Sequence, residues 1–369
     1  MNKKATELLK QYGFERIKAA DMIDSYNFED RKLVEIVKAT YFNPKIVVID
    51  ETTTALSQEG REELYKHMER IRKSGNTVIF ISHDLPEIIE KSDTITILRD
   101  GVYIDTVKSK DVNENDLKKL MVGREVTGDY YRSDYGEKVS DEVVLSVKDV
   151  TVPGLIENVS FDLHKGEILG FGGLSESGMH EIGKAIFGAS YDREGTVELA
   201  DGTQINDIPT AIKHSIAYTS KDRDNESVVL NQSIGDNICL PSLDELSGPA
   251  HLISDKKKKD FANKFAKQMS VKMVDVNQFV SNLSGGNKQK VVLARWIGKD
   301  SDIVVLDSPT RGIDIKVKQD IYQLMNQMRK NGKSIIMISE ELMELIGMCD
   351  RIMIMKDGKI SGELERDQN

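Results

Sequence analysis

Short apolar runs that end in an acid, each followed by an amphipathic stretch, set the pattern of this chain. Ile46-Val47-Val48-Ile49 runs straight into Asp50 and Glu51, as a parallel strand buried on both faces would. From Ser57 to Lys73, Leu64, Met68 and Ile71 fall on one stripe, and Ser74-Gly75-Asn76 follows; this predicts a helix and its stop. Thr77 to Ser82 is the next predicted strand, and it leads into His83. Glu167 to Phe171, Ile216 to Thr219 and Ile303 to Asp307 read as strands in the same way. Strands separated by helices of this length predict an α/β fold with a parallel sheet covered on both faces.

The pattern occurs twice. Ile46-Val47-Val48-Ile49-Asp50-Glu51-Thr52-Thr53 matches Ile303-Val304-Val305-Leu306-Asp307-Ser308-Pro309-Thr310. Asp50 and Asp307, Ser82 and Ser339, and Gly101 and Gly358 are each 257 residues apart. One constant shift means duplication with no insertion between these landmarks. The stretch from Thr127 to Ser140 holds Gly, Asp, Ser and Tyr without an apolar period, and it is the expected connector. The expected domains are therefore residues 1–126 and 143–369, joined by a linker at 127–142. The second copy begins near Val144, and the equivalent point of the first would fall more than 110 residues before Met1. The first domain is thus expected to lack its front portion, which an upstream segment or a separate chain would supply.

Composition narrows the class. A chain of 369 residues is comfortable for two domains, and 39% apolar with 30% charged residues suits a globular protein. The formal net charge of −10 disfavours nucleic acid as the main partner, because such affinity rests on Lys and Arg neutralising phosphates. The basic run Lys256 to Lys259 reads as a solvated helix start. Cys239 and Cys349 stand far apart, so neither a disulfide framework nor a zinc site follows, and a reducing compartment fits. The chain starts without a secretory apolar region, and no apolar run reaches the roughly 18 residues a spanning helix needs.

Three kinds of segment carry candidate chemistry. Leu283-Ser284-Gly285-Gly286-Asn287-Lys288-Gln289 puts small residues ahead of a helix predicted to start near Gly286. Backbone N–H groups can approach an anion there, and the helix dipole favours negative charge. Asp50-Glu51 closes a strand at its carboxyl end, where α/β sheets bind ligands. Gly173-Leu174-Ser175-Glu176-Ser177-Gly178-Met179-His180 follows a strand with the spacing of a phosphate loop. Glu176, however, places a carboxylate where a glycine would let the backbone approach phosphate.

These segments resemble the motifs of ABC ATPases. Met121-Val122-Gly123-Arg124-Glu125, Lys221-Asp222-Arg223, Ala294-Arg295-Trp296 and Pro309-Thr310-Arg311-Gly312-Ile313-Asp314 resemble the tandem ATPases of ribose, galactose and xylose importers. The likeness covers essentially the whole chain. It implies two tandem ABC-type P-loop NTPase domains, the first without its phosphate-loop portion. It also implies ATP and Mg2+ as cofactors, with Asp50 in the metal shell, Glu51 polarising the attacking water and His83 contacting the γ-phosphate. Leu283, Ser284, Gly285, Gly286 and Asn287 would be the signature that touches the γ-phosphate of ATP held by the opposite domain, with Asn287 in place of the usual Gln.

The departures are sorted. In the second copy Gly173 and Gly178 keep the loop, but Met179 stands at the lysine position and His180 at the Ser/Thr position. Ser308, beside Asp307, replaces the catalytic acid, and Glu340 replaces the histidine. The first copy's own signature segment, Tyr26-Asn27-Phe28-Glu29-Asp30, has no glycine. If the domains pair head to tail as the resemblance implies, one composite site keeps all its members in hand and the other is degraded throughout. Random decay would not sort itself that way, so selection on one working site is expected. The resemblance further implies docking beneath two membrane permeases fed by a sugar-binding protein, at the cytoplasmic face. A non-catalytic docking remnant and a nucleoside importer remain alternatives. A tandem ATPase acting on ribosomes or DNA is opposed by Ser308, the short linker and the negative charge.

Overall fold

The computed structural model describes residues 2–26, 28–50, 52, 53, 56, 58–82, 84–99, 102–122, 131, 132, 134, 139–174, 176–248, 252–313 and 315–365. Its contacts divide the chain into two compact units, Met1–Gly128 and Asp129–Asn369.

The first unit runs α1 (Asn2–Gln11), α2 (Phe28–Thr40), β1 (Ile46–Asp50), α3 (Gln58–Lys73), β2 (Thr77–Ile81), α4 (Leu85–Lys91), β3 (Thr94–Arg99), β4 (Val102–Lys108) and α5 (Glu114–Val122). β1 and β2 pair in parallel with Asp50 opposite Ile81, and β3 and β4 form an antiparallel ribbon. Leu9, Phe14, Leu33, Val37, Val47, Ile49, Leu64 and Met68 make one core. The stripe predicted on α3 is therefore its buried face. The prediction of a doubly buried β1 fails. Ile46 and Val48 are each 58% exposed, whereas their counterparts Ile303 and Val305 are 4% and 0% exposed. Strand β1 has only β2 beside it among the described residues, and the face that carries Ile46 and Val48 is exposed.

The second unit opens with β5 (Val143–Val152), β6 (Ile156–His164), β7 (Ile168–Gly173) and α6 (Met179–Ile186). Next come β8 (Glu194–Leu199), α7 (Ile208–Lys213), β9 (Ile216–Thr219), α8 (Ile234–Cys239), the short α9 (Leu243–Leu246), α10 (Asp255–Gln268) and α11 (Gly285–Lys299). It closes with β10 (Ile303–Asp307), α12 (Ile315–Lys330), β11 (Ser334–Ile338), α13 (Leu342–Met348), β12 (Arg351–Lys356) and β13 (Lys359–Glu365). Six strands form one sheet in the order β13-β12-β7-β11-β10-β9, parallel except for β13. Strands β6, β5 and β8 form a second, antiparallel sheet. Both β10 and β11 are buried at every position, as continuous Val/Ile/Leu runs require in a parallel sheet with both faces covered.

The expected connector is not simply a solvated tether. The Arg132 side chain is fully enclosed in the second unit, paired with Asp350 at 2.8 Å and Asp134 at 3.0 Å. Its Nη1 also donates to the Met348 carbonyl at 3.1 Å. Asp134 in turn meets Arg329 and Lys330, and the Tyr131 ring lies 5.3 Å from that of Tyr322. These charges are buried because each has a partner, which is the condition for burying them at all.

Candidate functional site

In the second unit, β7 delivers the chain into the loop before α6, at the carboxyl edge of the parallel sheet where ligand crevices form. Two glycines fix the loop's course. A Cβ on Gly173 would lie 2.4 Å from Ser177 Oγ and 2.6 Å from the Met355 carbonyl oxygen. Gly178 has φ of +89°, and a Cβ there would lie 2.6 Å from Ile156 Cγ2. The strand–loop–helix shape of a phosphate loop is thus present, and packing alone demands these glycines.

The chemistry inside that shape has been exchanged. Met179, at the lysine position, is completely buried in the hydrophobic core. His180 points at the end of β10, with Nδ1 2.7 Å from Asp307 Oδ1, and Asp307 itself is almost fully enclosed. On the other edge of the ring, Nε2 lies 3.1 Å from Lys221 Nζ and 3.4 Å from Glu340 Oε1. Lys221 and Glu340 pair directly at 2.6 Å. Burial opposes a charged imidazole here, but hydrogen bonds to Asp307 and Glu340 outweigh it, so the His180 pKa is raised above its ordinary value. The Tyr218 hydroxyl is pushed the same way, first by burial and then by the Asp307 charge. Two carboxylates thus face a lysine and an imidazole whose charged form they favour.

A magnesium triphosphate does not fit this set. The lysine that would meet its phosphates is a core methionine, and the hydroxyl that would meet the metal is an imidazole already bonded to Asp307. Ser308 offers no acid. It sits in the left-handed region at φ of +49°, and its hydroxyl donates to Asp307 at 3.3 Å.

The signature segment lies elsewhere in the same unit. Ser284 stands at the N-cap position of α11 without a capping hydrogen bond from its side chain, and the 15 residues of the helix begin at Gly285, one residue before the predicted start. Asn287 is held internally, since its Nδ2 donates to Ser284 Oγ at 2.9 Å and its Oδ1 accepts the Lys272 amide at 2.8 Å. A Cβ on Gly285 would lie 3.1 Å from Arg223 Nη2. An amide-lined helix end with a guanidinium beside it suits an anion. Arg223 and Lys221 were legible only as family markers, and no signal in the sequence pointed to their place here.

In the first unit Asp50 ends β1, the strand end that the sequence predicts, and it is exposed. Glu51 and His83 lie outside the described residues. The segment at the first copy's signature position shows no anion-accepting turn among its described residues. Arg31 Nε donates to the Tyr26 carbonyl at 2.9 Å, and Asp30 pairs with Arg16 at 2.7 Å.

Comparison with known proteins fits this geometry. A family model described as ABC transporter matches residues 156–311. A ribose import ATP-binding protein of Lactococcus lactis subsp. cremoris is 39% identical over 367 residues, 99% of this chain and 73% of its own length. One from Clostridium tetani is 38% identical over 91% of this chain, and a xylose import ATP-binding protein of Thermoanaerobacter pseudethanolicus is 43% identical over 89%. The chain spans 66% of the length of each of these last two. Among solved structures, the dimeric bacterial ABC transporter cassette MJ0796 superposes with a TM-score of 0.54. It is 22% identical and covers 61% of this chain and all of its own, a likeness of fold.

Proposed function

Because this chain belongs to the family of ABC transporter ATP-binding proteins that includes these ribose and xylose import proteins, we propose that it is the energy-coupling ATPase subunit of a sugar importer. The observation that carries the proposal is the signature turn, Leu283 to Asn287, set at the amide end of a long helix, without a side-chain cap and beside Arg223. Such an end presents N–H groups and positive potential to the terminal phosphate of a nucleotide held by a partnering cassette. In this reading Asp50 would hold the Mg2+ shell, Glu51 would orient the attacking water and His83 would contact the γ-phosphate. The metal would supply charge neutralisation at the phosphates, and the side chains would supply position. The partners are two membrane permeases and a sugar-binding protein, with the subunit on the cytoplasmic face. No helix among the described residues is long and apolar enough to cross a membrane, so the permeases would provide the path.

The test is Glu51→Gln in the chain assembled with its permeases in vesicles. ATP is expected to bind and stay unhydrolysed while uptake stops. Unchanged turnover would remove Glu51 from its role. The exchanged pocket of the second unit favours a second reading, a docking module without turnover. Absence of ATP binding by the whole assembly would establish that one instead.

A further inference from the structure

One buried arrangement occurs in both units at the same 257-residue shift as the motifs. In the first unit the Glu87 carboxylate accepts hydrogen bonds from Thr53 Oγ1 at 3.0 Å, from Ser82 Oγ at 2.7 Å and from the Tyr65 hydroxyl. In the second, Glu344 accepts from Thr310 Oγ1 at 2.6 Å, from Ser339 Oγ at 2.8 Å and from the Tyr322 hydroxyl. Both carboxylates are enclosed, 6% and 1% exposed. A cation attends each cluster. Arg61 Nε donates to the Thr53 carbonyl at 3.0 Å, with Nη1 3.8 Å from Asp84. Its counterpart Lys318 meets Glu341 at 2.7 Å and Glu344 at 3.4 Å. Even the backbone detail is repeated, since the Ser82 and Ser339 hydroxyls accept the amides of Asp84 and Glu341.

The contrast with the neighbouring positions is the informative part. Glu51 has become Ser308 and His83 has become Glu340. Over the same few residues, Thr, Tyr, Ser and Glu are unchanged, and the cation and outer acid are exchanged only in kind, Arg for Lys and Asp for Glu. A buried carboxylate costs several kcal/mol unless hydrogen bonds satisfy it, so the cluster is held by something other than chemistry at the adjoining site. Its three donors come from three separate places. Thr53 and Thr310 lie just past the acid-ended strand, Ser82 and Ser339 directly follow the next strand, and Tyr65 and Tyr322 stand on the helix between.

From this we infer that Glu87 and Glu344 are positioning residues that clamp the segment after one parallel strand to the segment after its neighbour, so that each pair moves as one body. In the first unit the clamped segments are those that carry Glu51 and His83. That significance rests on the proposed ATPase, whereas the clamp itself does not. Burial, reinforced by the Glu87 hydrogen bond, pushes the Tyr65 hydroxyl pKa up, in keeping with its place as a donor.

Amide hydrogen exchange of the full chain, read by mass spectrometry without nucleotide, tests the clamp. Glu344→Ala is expected to raise exchange roughly tenfold or more in both 308–313 and 339–344, leaving α11 and β10 unchanged. Glu344→Gln, which keeps the shape and one carbonyl acceptor, should fall between. The decisive readout is across segments. Thr310→Val should loosen 339–341, and Ser339→Ala should loosen 308–313, but neither should do so in the Glu344→Ala background. Responses confined to each variant's own segment, or a uniform rise through the unit, would overturn the inference. Glu87→Gln should act alike on 52–56 and 82–87. Because no ATP enters the measurement, its failure is separable from failure of the ATPase assignment.

Discussion

Replacing His180 by alanine is expected to destabilise the second unit by about 3 kcal/mol, because a buried carboxylate loses its cation. Asp307 is 1% exposed and meets His180 Nδ1 at 2.7 Å, while Ser308 Oγ, the neutral donor to the same oxygen, stands off at 3.3 Å. Across the ring, Lys221 and Glu340 keep each other, so the loss falls mainly on Asp307. The assay is supplied by the sequence. Trp296 is the chain's one tryptophan, buried in the second unit 5.9 Å from the Phe187 ring, so its emission during urea titration follows that unit. A loss of this size should lower the midpoint by about 1 M or more. The effect also carries a pH signature. Since the folded-state pKa of His180 is raised, its contribution is complete below the unfolded value of about 6.5 and is lost as pH rises through the folded value. The gap between wild type and variant should therefore be widest in mild acid and narrow as pH rises through that raised value. Equal midpoints, or a gap that widens with rising pH, would refute the assignment of His180 as counter-ion to Asp307.

Three further outcomes follow from other parts of the unit. Arg295 is enclosed without a carboxylate, donating to the Asn237 and Ser227 carbonyls at 2.7 and 2.6 Å and to Asn237 Oδ1 at 3.1 Å, and burial pulls its pKa down to about 10. Arg295→Met should cost about 3 kcal/mol by orphaning those acceptors, and a urea midpoint unchanged by circular dichroism would contradict this. A Cβ on Gly347 would fall 2.3 Å from the Tyr131 ring, so Gly347→Ala should release the connector. Faster limited proteolysis between residues 131 and 140, with the Trp296 midpoint nearly unchanged, is the expected sign. Mg-ATP should leave the Trp296 midpoint of the wild-type chain alone, whereas a ligand at a hundred times its Kd would add about 2.7 kcal/mol.

The parts of this fold legible in the sequence are those whose cause is local or repeated. The run at Ile303 gave a strand because a doubly covered parallel strand favours a continuous apolar stretch. The same run at Ile46 gave a strand with one face exposed, since burial depends on neighbours and β1 pairs only with β2 among the described residues. Pairings such as Lys221 with Glu340 join positions 119 residues apart. Each charge alone looks like ordinary solvated surface, and only the fold brings them to one edge. Arg132 was hidden for a related reason. A single arginine in a polar, aperiodic stretch carries no sign that Asp350 and the Met348 carbonyl wait for it. The duplicated carboxylate clusters were fully written in the sequence as a 257-residue shift of six positions. Their meaning needed hydrogen bonds to be seen.

The altered pocket of the second unit bears on what kind of loss it records. Gly173 and Gly178 are required by Ser177, Met355, Ile156 and Leu155, so the loop shape would persist whether or not a phosphate ever entered it. The positions free to change were those whose partners would have been ligand atoms. Two of them, His180 and Glu340, now answer residues already present, His180 meeting Asp307 and Glu340 meeting Lys221. Unbalanced decay would have left Asp307 as a buried, uncompensated charge, at a cost of several kcal/mol. Against a total stability of about 5–15 kcal/mol, such an intermediate would be under strong selection for a neutralising partner. The pocket is therefore better understood as a site rebuilt to stand without ligand than as one merely worn away. A consequence separates the two accounts: His180→Thr, which restores the hydroxyl at that position, should weaken the unit rather than revive it, and Lys221→Glu should weaken it further. If either change leaves the Trp296 midpoint where it was, the four charges are bystanders and the rebuilt site is an illusion of proximity.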